Sequence, residues 1–262
     1  MNIFVCVKQV PDTETKITPN GDSSFVELNN IKWIMNPYDE FAVEQALLTK
    51  QSDSSSNITV VRVGSKQNSE ALRTAMAMGA DQGILVNTDE NLDAYMTAKA
   101  LKGAIEKSGK TPDLILCGKQ SIDSDALQVP QILAEMLDLP SVSVVVGFEQ
   151  NGSSLQLKRE VDGGSLEVYN VDTPCIVACN KGLNTPRYAS LPGIMKAKKK
   201  PLDEFSLSDV GVSSEDQMIE DSNFRLPLEK PPGKVFDAMD EATHNEVVSN
   251  VVNLLKTEAK VL

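Results

Sequence analysis

Four short apolar runs, separated by segments with the helical period, constrain the fold of this chain most. The runs are Ile3 to Val7, Ile58 to Val63, Gly83 to Val86 and Leu114 to Cys117. Such runs are typical of strands buried on both faces, as in a parallel sheet. The segments with apolar residues at i, i+3 and i+4 are Phe41 to Lys50, Ser69 to Met78, Leu92 to Lys107 and a stretch ending near Leu137. The alternation predicts an α/β fold with a mostly parallel, doubly wound, Rossmann-like sheet.

The pattern changes after Pro140, where three β-branched runs lie close together. They are Val142 to Phe148, Leu155 to Val161 and Leu166 to Val171, separated by Asn151-Gly152 and Asp162-Gly163-Gly164. Asn-Gly and Asp-Gly are hairpin signals, so we expect an antiparallel excursion from the parallel sheet. The run Cys175 to Cys179 then predicts another buried strand.

Beyond Asn180 the regular period is lost until a helix predicted over about Met239 to Lys256. Residues 201–236 are rich in Pro, Ser and acidic side chains and show no clear period. We therefore predict an α/β domain over residues 1–200 and a C-terminal arm plus helix over residues 201–262. Because a lone helix cannot bury its own apolar face, the arm is expected to dock on a partner chain.

Charge and composition exclude several classes of function. A formal net charge of -12 argues against nucleic-acid binding, which needs a surplus of Lys and Arg. The first residues carry no charged leader, and no apolar stretch approaches the roughly 18 residues of a membrane span. A cytoplasmic location is therefore expected, or the mitochondrial matrix if the source is eukaryotic. The only histidine is His244, and the four cysteines lack metal-ligand spacing, so we predict no metal site and no catalytic residue.

The segment Leu116 to Asp125 has the densest chemical content. Gly118 follows a predicted strand that ends at Cys117 and allows close approach of a ligand or of backbone. Since Pro130 is tolerated only in a first helical turn, the next helix should begin near Gln128 or Val129. Its free N–H groups would lie at the carboxyl end of a parallel strand, where open α/β sheets bind nucleotides. An ordinary βα loop explains the same residues, and the glycine and hydroxyl pattern of a P-loop is absent.

A second segment, Asn36-Pro37-Tyr38-Asp39, precedes the first predicted helix. Asn36 should be extended because it precedes proline. Asp39 is the predicted N-cap of the helix. A loop that only caps a helix, with no part in ligand binding, explains the same residues.

A third segment, Asn184 to Lys200, combines apolar residues with clustered lysines on an otherwise acidic chain. We interpret it as a docking loop for a partner protein. Leu191, next to Pro192 and Gly193, is expected on an exposed turn as an apolar anchor, with the lysines attracting acidic partners. A solvated lysine run is the alternative.

These three segments resemble the beta subunit of electron transfer flavoproteins. The similarity extends from the start of the chain to about residue 212. The matching segments are Val7 to Asp12, Asn36 to Asp39, Ala75 to Asp81, Gly118 to Asp123, Arg159 to Gly164 and Pro186 to Lys200. The resemblance implies a heterodimer whose alpha subunit holds a redox-active FAD. It further implies acyl-CoA dehydrogenases and a quinone-linked flavoprotein reductase as partners.

The resemblance also implies that this chain binds AMP in a structural role. The AMP contacts of the family carry over to Cys6, Asn36, Pro37, Tyr38, Asp39, Val63, Gly118, Lys119, Gln120, Ser121, Ile122, Asp123, Ser124, Asp125, Ala126, Leu127, Gln128 and Val129. The implied docking residues are Leu191, Lys196 and Lys199. Val129 stands where the AMP-binding pattern has a Thr that bonds the phosphate, and Pro130 stands where Gly is usual.

Three functional hypotheses stay open at this point. The first is an electron-carrier subunit with AMP in this chain. The second is a bifurcating complex that performs NADH chemistry and holds a second FAD in place of AMP. The third is a free-standing nucleotide-binding module, which predicts a compact end near residue 180. The tail of about 80 residues beyond that point argues against the third.

Overall fold

The protein is described by a computed structural model that covers residues 1–23, 25–27, 31–230, 232–237 and 241–262. The described chain forms two compact units, Met1–Phe224 and Arg225–Leu262.

A nine-stranded sheet forms the centre of the first unit. Its strands are β1 (Asn2–Cys6), β4 (Asn57–Val63), β5 (Gln82–Asn87), β6 (Leu114–Gly118), β7 (Ser141–Asn151), β8 (Ser154–Glu160), β9 (Leu166–Asp172), β10 (Cys175–Cys179) and β11 (Leu202–Ser206). The strand order is β11-β5-β4-β1-β6-β10-β7-β8-β9, parallel from β11 to β7 and antiparallel from β7 to β9. The predicted α/β class and the antiparallel excursion are therefore confirmed. A separate antiparallel pair joins β2 (Gln9–Pro11) to β3 (Trp33–Met35).

Helices cover both faces of the parallel part of the sheet. They are α1 (Pro37–Ser52), α2 (Glu70–Met78), α3 (Ala94–Lys107), α4 (Val129–Leu137) and the short α5 (Leu191–Ala197). Apolar side chains of α1 and α2 form one buried cluster with the sheet, and those of α3 and α4 form a second cluster. Two separate clusters are expected when a sheet buries both faces.

Local signals in the sequence account for several helix ends. Asn36, with ψ of 125°, is extended before Pro37, as expected for a residue that precedes proline. Gly79 ends α2 with φ of 148°, a conformation that favours glycine. A Cβ at that position would lie 2.7 Å from the Leu47 side chain, so close packing adds a second reason for glycine.

The predicted domain boundary at residue 200 does not match the strand pairing. Residues Leu202–Ser206 form β11, which pairs in parallel with β5 at the edge of the main sheet. The next turn packs on α3 so closely that a Cβ at Gly103 would lie 2.3 Å from the Val210 carbonyl oxygen. The segment after residue 200 therefore begins as part of the α/β unit, not as an arm.

The second unit contains one described helix, α6 (Glu241–Thr257). Its predicted start at Met239 lies outside the described residues. An ion pair of 2.7 Å joins Lys234 to Glu258 within this unit. Among the helices of the described ranges, none has both the length and the apolar character needed to cross a membrane.

Candidate nucleotide-binding site and docking segment

The site predicted from the sequence lies where the strand order of the sheet reverses. From β1 the chain passes to β4 and β5 on one side, and it then returns to β6 on the other side of β1. The carboxyl ends of β1 and β6, at Cys6 and Gly118, therefore border a crevice at the topological switch point. Open α/β sheets bind ligands at this place. Val63, another predicted site residue, ends the neighbouring strand β4.

Asp39 is the centre of a buried hydrogen-bond network beneath this crevice. Its carboxylate accepts from the Lys8 N–H at 2.7 Å, the Gly118 N–H at 3.1 Å and the Asn36 side-chain amide at 2.9 Å. The prediction that Asp39 is the N-cap of α1 is wrong, because Asn36 occupies the N-cap position and Pro37 begins the helix. Asp39 instead joins β1, α1 and β6. Burial raises the pKa of Asp39 to about 7, although these three donors lower it.

Asn36 connects the same network to the loop that follows β6. Its side-chain amide also donates to the Gln120 carbonyl oxygen at 2.9 Å, and its oxygen accepts from the Ile122 N–H at 3.2 Å. Asn36 is almost fully buried, so these bonds hold the first half of the loop in one position. The segments 36–39 and 118–122 are thereby brought together by bonds between residues 79 to 86 positions apart.

Gly118 is required by the protein itself. A Cβ at this position would lie 2.2 Å from Asp39 Oδ1 and 2.8 Å from the Tyr38 carbonyl carbon. The close approach that the sequence predicted at Gly118 is therefore the approach of α1 to β6. Any larger residue would displace Asp39 from its donors.

The rest of the loop is held at the surface by side chains on its borders. The Lys8 ammonium lies 2.7 Å from the Asp123 carboxylate and 3.4 Å from the Ser121 hydroxyl. The Lys119 ammonium lies 5.1 Å from the centre of the Tyr38 ring. Residues 123–128 are exposed, so this part of the loop is open to a ligand. Ser124, Asp125, Ala126 and Leu127 lie in this exposed stretch.

Helix α4 begins at Val129, as predicted from Pro130. Gln128 is the N-cap residue and makes no side-chain capping bond, so first-turn N–H groups keep their donor capacity. The side-chain oxygen of Gln131, in the same turn, is buried and has no hydrogen-bond partner. Uncapped donors and an unpaired acceptor in one turn suit a ligand with both acceptors and donors, such as an adenine nucleotide. The Val129 side chain packs against the α3/α4 cluster and offers no hydroxyl.

The cysteines beside the crevice are not suited to nucleophilic chemistry. All four are free and buried. A hydrogen bond with Cys6 and burial raise the pKa of Cys117, and burial raises the pKa of Cys179. Thiols with raised pKa values are poor nucleophiles, because the thiolate is the reactive form.

The second predicted site, residues 184–200, is anchored on α1 and α2. The Arg187 guanidinium lies 2.6 Å from the buried Glu44 carboxylate, which also accepts from the Arg187 backbone N–H. Burial alone would raise the pKa of Glu44, but the hydrogen bonds from Arg187 hold it below the usual value. The Asn184 amide donates to the Phe41 carbonyl oxygen at 3.0 Å.

The second half of this segment is the helix α5, which the sequence reasoning missed. Ser190 caps it by accepting from the Gly193 N–H at 3.2 Å, and Pro192 lies in the first turn. A Cβ at Gly193 would lie 2.3 Å from the Ala77 carbonyl oxygen, so glycine allows α5 to pack on α2. Leu191 is the first residue of this helix rather than part of a free turn, and it is 79% exposed.

The lysines of the segment have two different environments. Lys200 donates to the Met76 and Ala80 carbonyl oxygens at 2.8 and 2.6 Å at the end of α2, so it is structural. Lys196, Lys198 and Lys199 make no ion pair with any acidic side chain that the structure describes. Tyr188, Leu191 and Met195 are each more than 70% exposed. The segment therefore presents apolar tips and free ammonium groups on a fixed base.

A doubly wound sheet with an uncapped helix N-terminus at its switch point is the architecture of α/β nucleotide-binding proteins. Comparison with known proteins gives the family. The model of the electron transfer flavoprotein domain matches residues 25–210. The chain therefore belongs to the electron transfer flavoprotein family, as the resemblance of its motifs predicted.

Relatives that align along the full chain are named electron transfer flavoprotein subunit beta. The Bradyrhizobium diazoefficiens protein is 42% identical over 265 residues, with all of both chains covered. The Bacillus subtilis protein is 39% identical over 267 residues, also with both chains fully covered. The human protein is 36% identical over 251 residues, which cover 94% of this chain and 95% of that one. The family is thus that of the beta subunits, which are proteins of electron transfer.

Proposed function

We propose that this chain pairs with an electron transfer flavoprotein alpha subunit and binds AMP at the loop between β6 and α4. In this proposal the alpha subunit holds most of the redox-active FAD. The heterodimer carries electrons from acyl-CoA dehydrogenases to a quinone-linked reductase of the respiratory chain. This chain binds, orients and docks, and it performs no covalent step. A cytoplasmic location stays a prediction.

The uncapped first turn of α4 carries the AMP part of the proposal. Its N–H groups lie at the switch point, next to an exposed loop whose base is fixed by Asn36 and Asp39. A phosphate would accept from the N–H groups near Gln128 and Val129, where the helix dipole favours an anion. The nucleoside would extend towards the carboxyl ends of β1 and β4, at Cys6 and Val63.

A count of nucleotides tests this assignment. The co-purified heterodimer is denatured, and its released flavin and AMP are quantified against protein. One flavin and one AMP per heterodimer is the expected result. Val129→Thr should tighten AMP by on the order of 1 kcal/mol through a new hydroxyl contact, whereas Val129→Ala changes the same side chain without adding a hydroxyl and serves as the control.

A second FAD in place of AMP is the alternative that one observation favours. Val129 uses its side chain for apolar packing and offers the phosphate only its backbone N–H. A bifurcating complex with NADH chemistry would then be the function. Two flavins and no AMP per heterodimer would establish this alternative and reject the AMP assignment.

The segment 184–200 is proposed to dock the partner dehydrogenases. Leu191 supplies an exposed apolar anchor on a base fixed by Glu44 and Arg187. Lys196 and Lys199 supply positive charge next to it. An anchor of this kind gains free energy only when a partner covers it.

The C-terminal unit is proposed to bind the alpha subunit. Apolar residues recur on α6 at helical spacing, at Val247, Val248, Val251, Val252, Leu254 and Leu255. A 17-residue helix gains most of its stability by packing such a stripe on another surface. Deletion of residues 225–262 should abolish heterodimer formation and leave the α/β unit folded. Full-yield co-purification of the truncated chain with its partner would reject this role.

A further inference from the structure

Arg62 is a buried cation without an anionic partner. It lies on β4 and is only 5% exposed. Its Nη1 donates to the Ser65 carbonyl oxygen at 2.9 Å, while its Nε is buried and has no acceptor. None of the acidic side chains in the described ranges forms an ion pair with it. The Nε edge of the guanidinium therefore keeps its donor capacity.

A second unsatisfied donor, the side-chain amide of Gln9, lies at the N-terminus of α2. Gln9 is 7% exposed, and its side-chain oxygen accepts from the Ala71 N–H at 3.1 Å in the first turn of α2. The side-chain nitrogen of Gln9 is buried and donates to nothing. Ser69, the N-cap residue of α2, makes no side-chain capping bond. Helix α2 packs on β4, the strand that carries Arg62, and its N-terminus is the positive end of the helix dipole.

The missing carboxylate partner of Arg62 within the described residues is unexpected in so acidic a chain. The chain has 37 acidic against 25 basic residues other than histidine, yet Arg62 pairs with no described carboxylate. Burial lowers the pKa of Arg62 to about 10, and no neighbouring anion offsets that effect. Buried charges in proteins are normally paired, because burying an isolated charge is costly.

We propose that Arg62, Gln9 and the N-terminus of α2 form a binding site for a small oxyanion of the phosphate class. The Nε edge of a guanidinium presents parallel N–H groups that match two oxygens of such an anion. The amide of Gln9 and the free N–H groups of α2 supply further donors. The anion neutralises the charge of Arg62 and accepts from its Nε.

A small anion suits this site better than the side chain of a protein partner. Arg62 has little exposed surface, and its guanidinium lies against the backbone of Gly64 and Ser65. Lys66 and Gln67, which follow, are exposed, so the guanidinium lies just below the protein surface. Alternation along β4 places Arg62 on the face of Ile58 and Val60, which pack with α1 and α2. The site is therefore distinct from the loop between β6 and α4.

Thermal unfolding of the heterodimer tests the proposal, with inorganic phosphate as the probe and chloride at equal ionic strength as the reference. Phosphate should raise the wild-type Tm, by about 5 °C at a hundredfold excess over Kd. Arg62→Met should abolish the rise. Arg73→Met removes an exposed arginine from α2, the helix whose N-terminus belongs to the proposed site, and should respond as the wild type does. Arg62→Lys keeps the charge but loses the paired N–H groups, so its response should be several-fold weaker.

The variants also separate an anion site from a purely structural arginine. If Arg62 binds an anion, Arg62→Met should be at least as stable as the wild type in chloride, because an unpaired buried charge is removed. The proposal is overturned if phosphate leaves the wild-type Tm unchanged, or if Arg62→Met and the wild type respond equally. Should Arg62→Met fail to fold, an Arg62→Lys response equal to that of the wild type overturns it.

Discussion

The nucleotide loop (residues 118–129) and the docking segment (residues 184–200) are both fixed by a buried carboxylate, but they present opposite surfaces. Asp39 fixes the start of the loop by accepting from Lys8, Asn36 and Gly118. Glu44 fixes the docking segment through Arg187. The loop ends in an uncapped helix N-terminus, whereas the docking segment ends in exposed apolar side chains. The same α1 helix thus supports one surface suited to a small polar ligand and one suited to a protein.

The difference lies in where the donors come from, since three separate residues donate to Asp39 whereas Arg187 alone donates to Glu44. Asp39 accepts from the backbone N–H groups of Gly118, in β6, and of Lys8, just after β1, so its loss disturbs the core of the sheet. Glu44 accepts from one arginine, which is 35% exposed at its side chain. Substitutions near the loop should therefore change stability first. Substitutions at the tip of the docking segment should change partner binding alone.

Asp39→Ala should give the largest effect. Buried N–H groups of Lys8 and Gly118 and the Asn36 amide would lose their acceptor, which should cost on the order of 3 kcal/mol or more. Urea unfolding of the heterodimer measures the loss. Gln128→Ala, in the exposed part of the same loop, should cost less than about 1 kcal/mol. Equal losses in the two variants would show that burial of Asp39 does not matter.

The pH dependence of stability should carry the signature of Asp39. Its pKa is raised from 3.8 to about 7 in the folded chain, so the folded state binds the proton more tightly than the unfolded state. Its contribution is therefore full below about pH 4 and is lost as the pH rises towards 7. Asp39→Asn should flatten this slope, and a small slope should persist because burial also raises the pKa of Glu40. An unchanged slope in Asp39→Asn contradicts the assignment.

The strands buried on both faces were predictable from the sequence, and the edge strand was not. The runs at Ile3, Ile58 and Leu114 are apolar because helices cover both faces, so composition alone identifies them. The strand β11 carries Asp203 and Glu204 and is exposed at the sheet edge, so its residues resemble those of a loop. Pairing with β5, more than 110 residues earlier, makes it a strand.

The segments of the candidate site were easier to identify from the sequence than the contacts that join them, and their role in binding stays a prediction. The segments 36–39 and 118–129 were identified from local patterns, and Pro130 gave the start of α4. The role of Asp39 depends on donors 31 and 79 residues away, which no local pattern contains. Lys8 and Glu44 were missed for the same reason. The sequence nevertheless contained a signal for each of them. Lys8 directly follows a buried strand, and Glu44 is an acidic residue among the apolar residues of α1.

Leu191→Ala should weaken binding of an acyl-CoA dehydrogenase and leave stability unchanged. An exposed side chain gains nothing in the free protein but roughly 1.5–3 kcal/mol when a partner pocket buries it. Binding titrations and interprotein electron-transfer rates measure the effect, which should persist at all salt concentrations. Leu166→Ala makes the same change at an exposed leucine of β9 and is the control. A lower Tm with unchanged electron transfer would make Leu191 a structural residue.

Arg187→Met should affect both stability and docking, but less than the changes above. The Glu44 carboxylate would stay buried without its partner, and the exposed side of the ion pair reduces the cost to about 1–2 kcal/mol. Dehydrogenase binding should weaken because the base of the docking segment loosens. A double variant with Glu44→Gln should recover part of the stability, since the unpaired charge is then removed. Failure of that recovery would exclude the ion pair as the cause.

Neutralising the free lysines should give the smallest effect, a slower association with the partner. This effect is recognised by its dependence on salt concentration. Lys196, Lys198 and Lys199 are exposed and lie next to the apolar anchor, so they act on the approach of an acidic partner more than on the final complex. The triple substitution to Gln should slow association a few-fold at low ionic strength. The effect should vanish near 1 M salt, where the screening length falls to about 3 Å.

Lys200→Gln is the matched comparison, because Lys200 donates to the last carbonyl groups of α2. That variant should lower the Tm without the salt-dependent slowing. If the triple variant and Lys200→Gln behave alike, the lysines belong to the fixed base of the docking segment and not to its recognition surface.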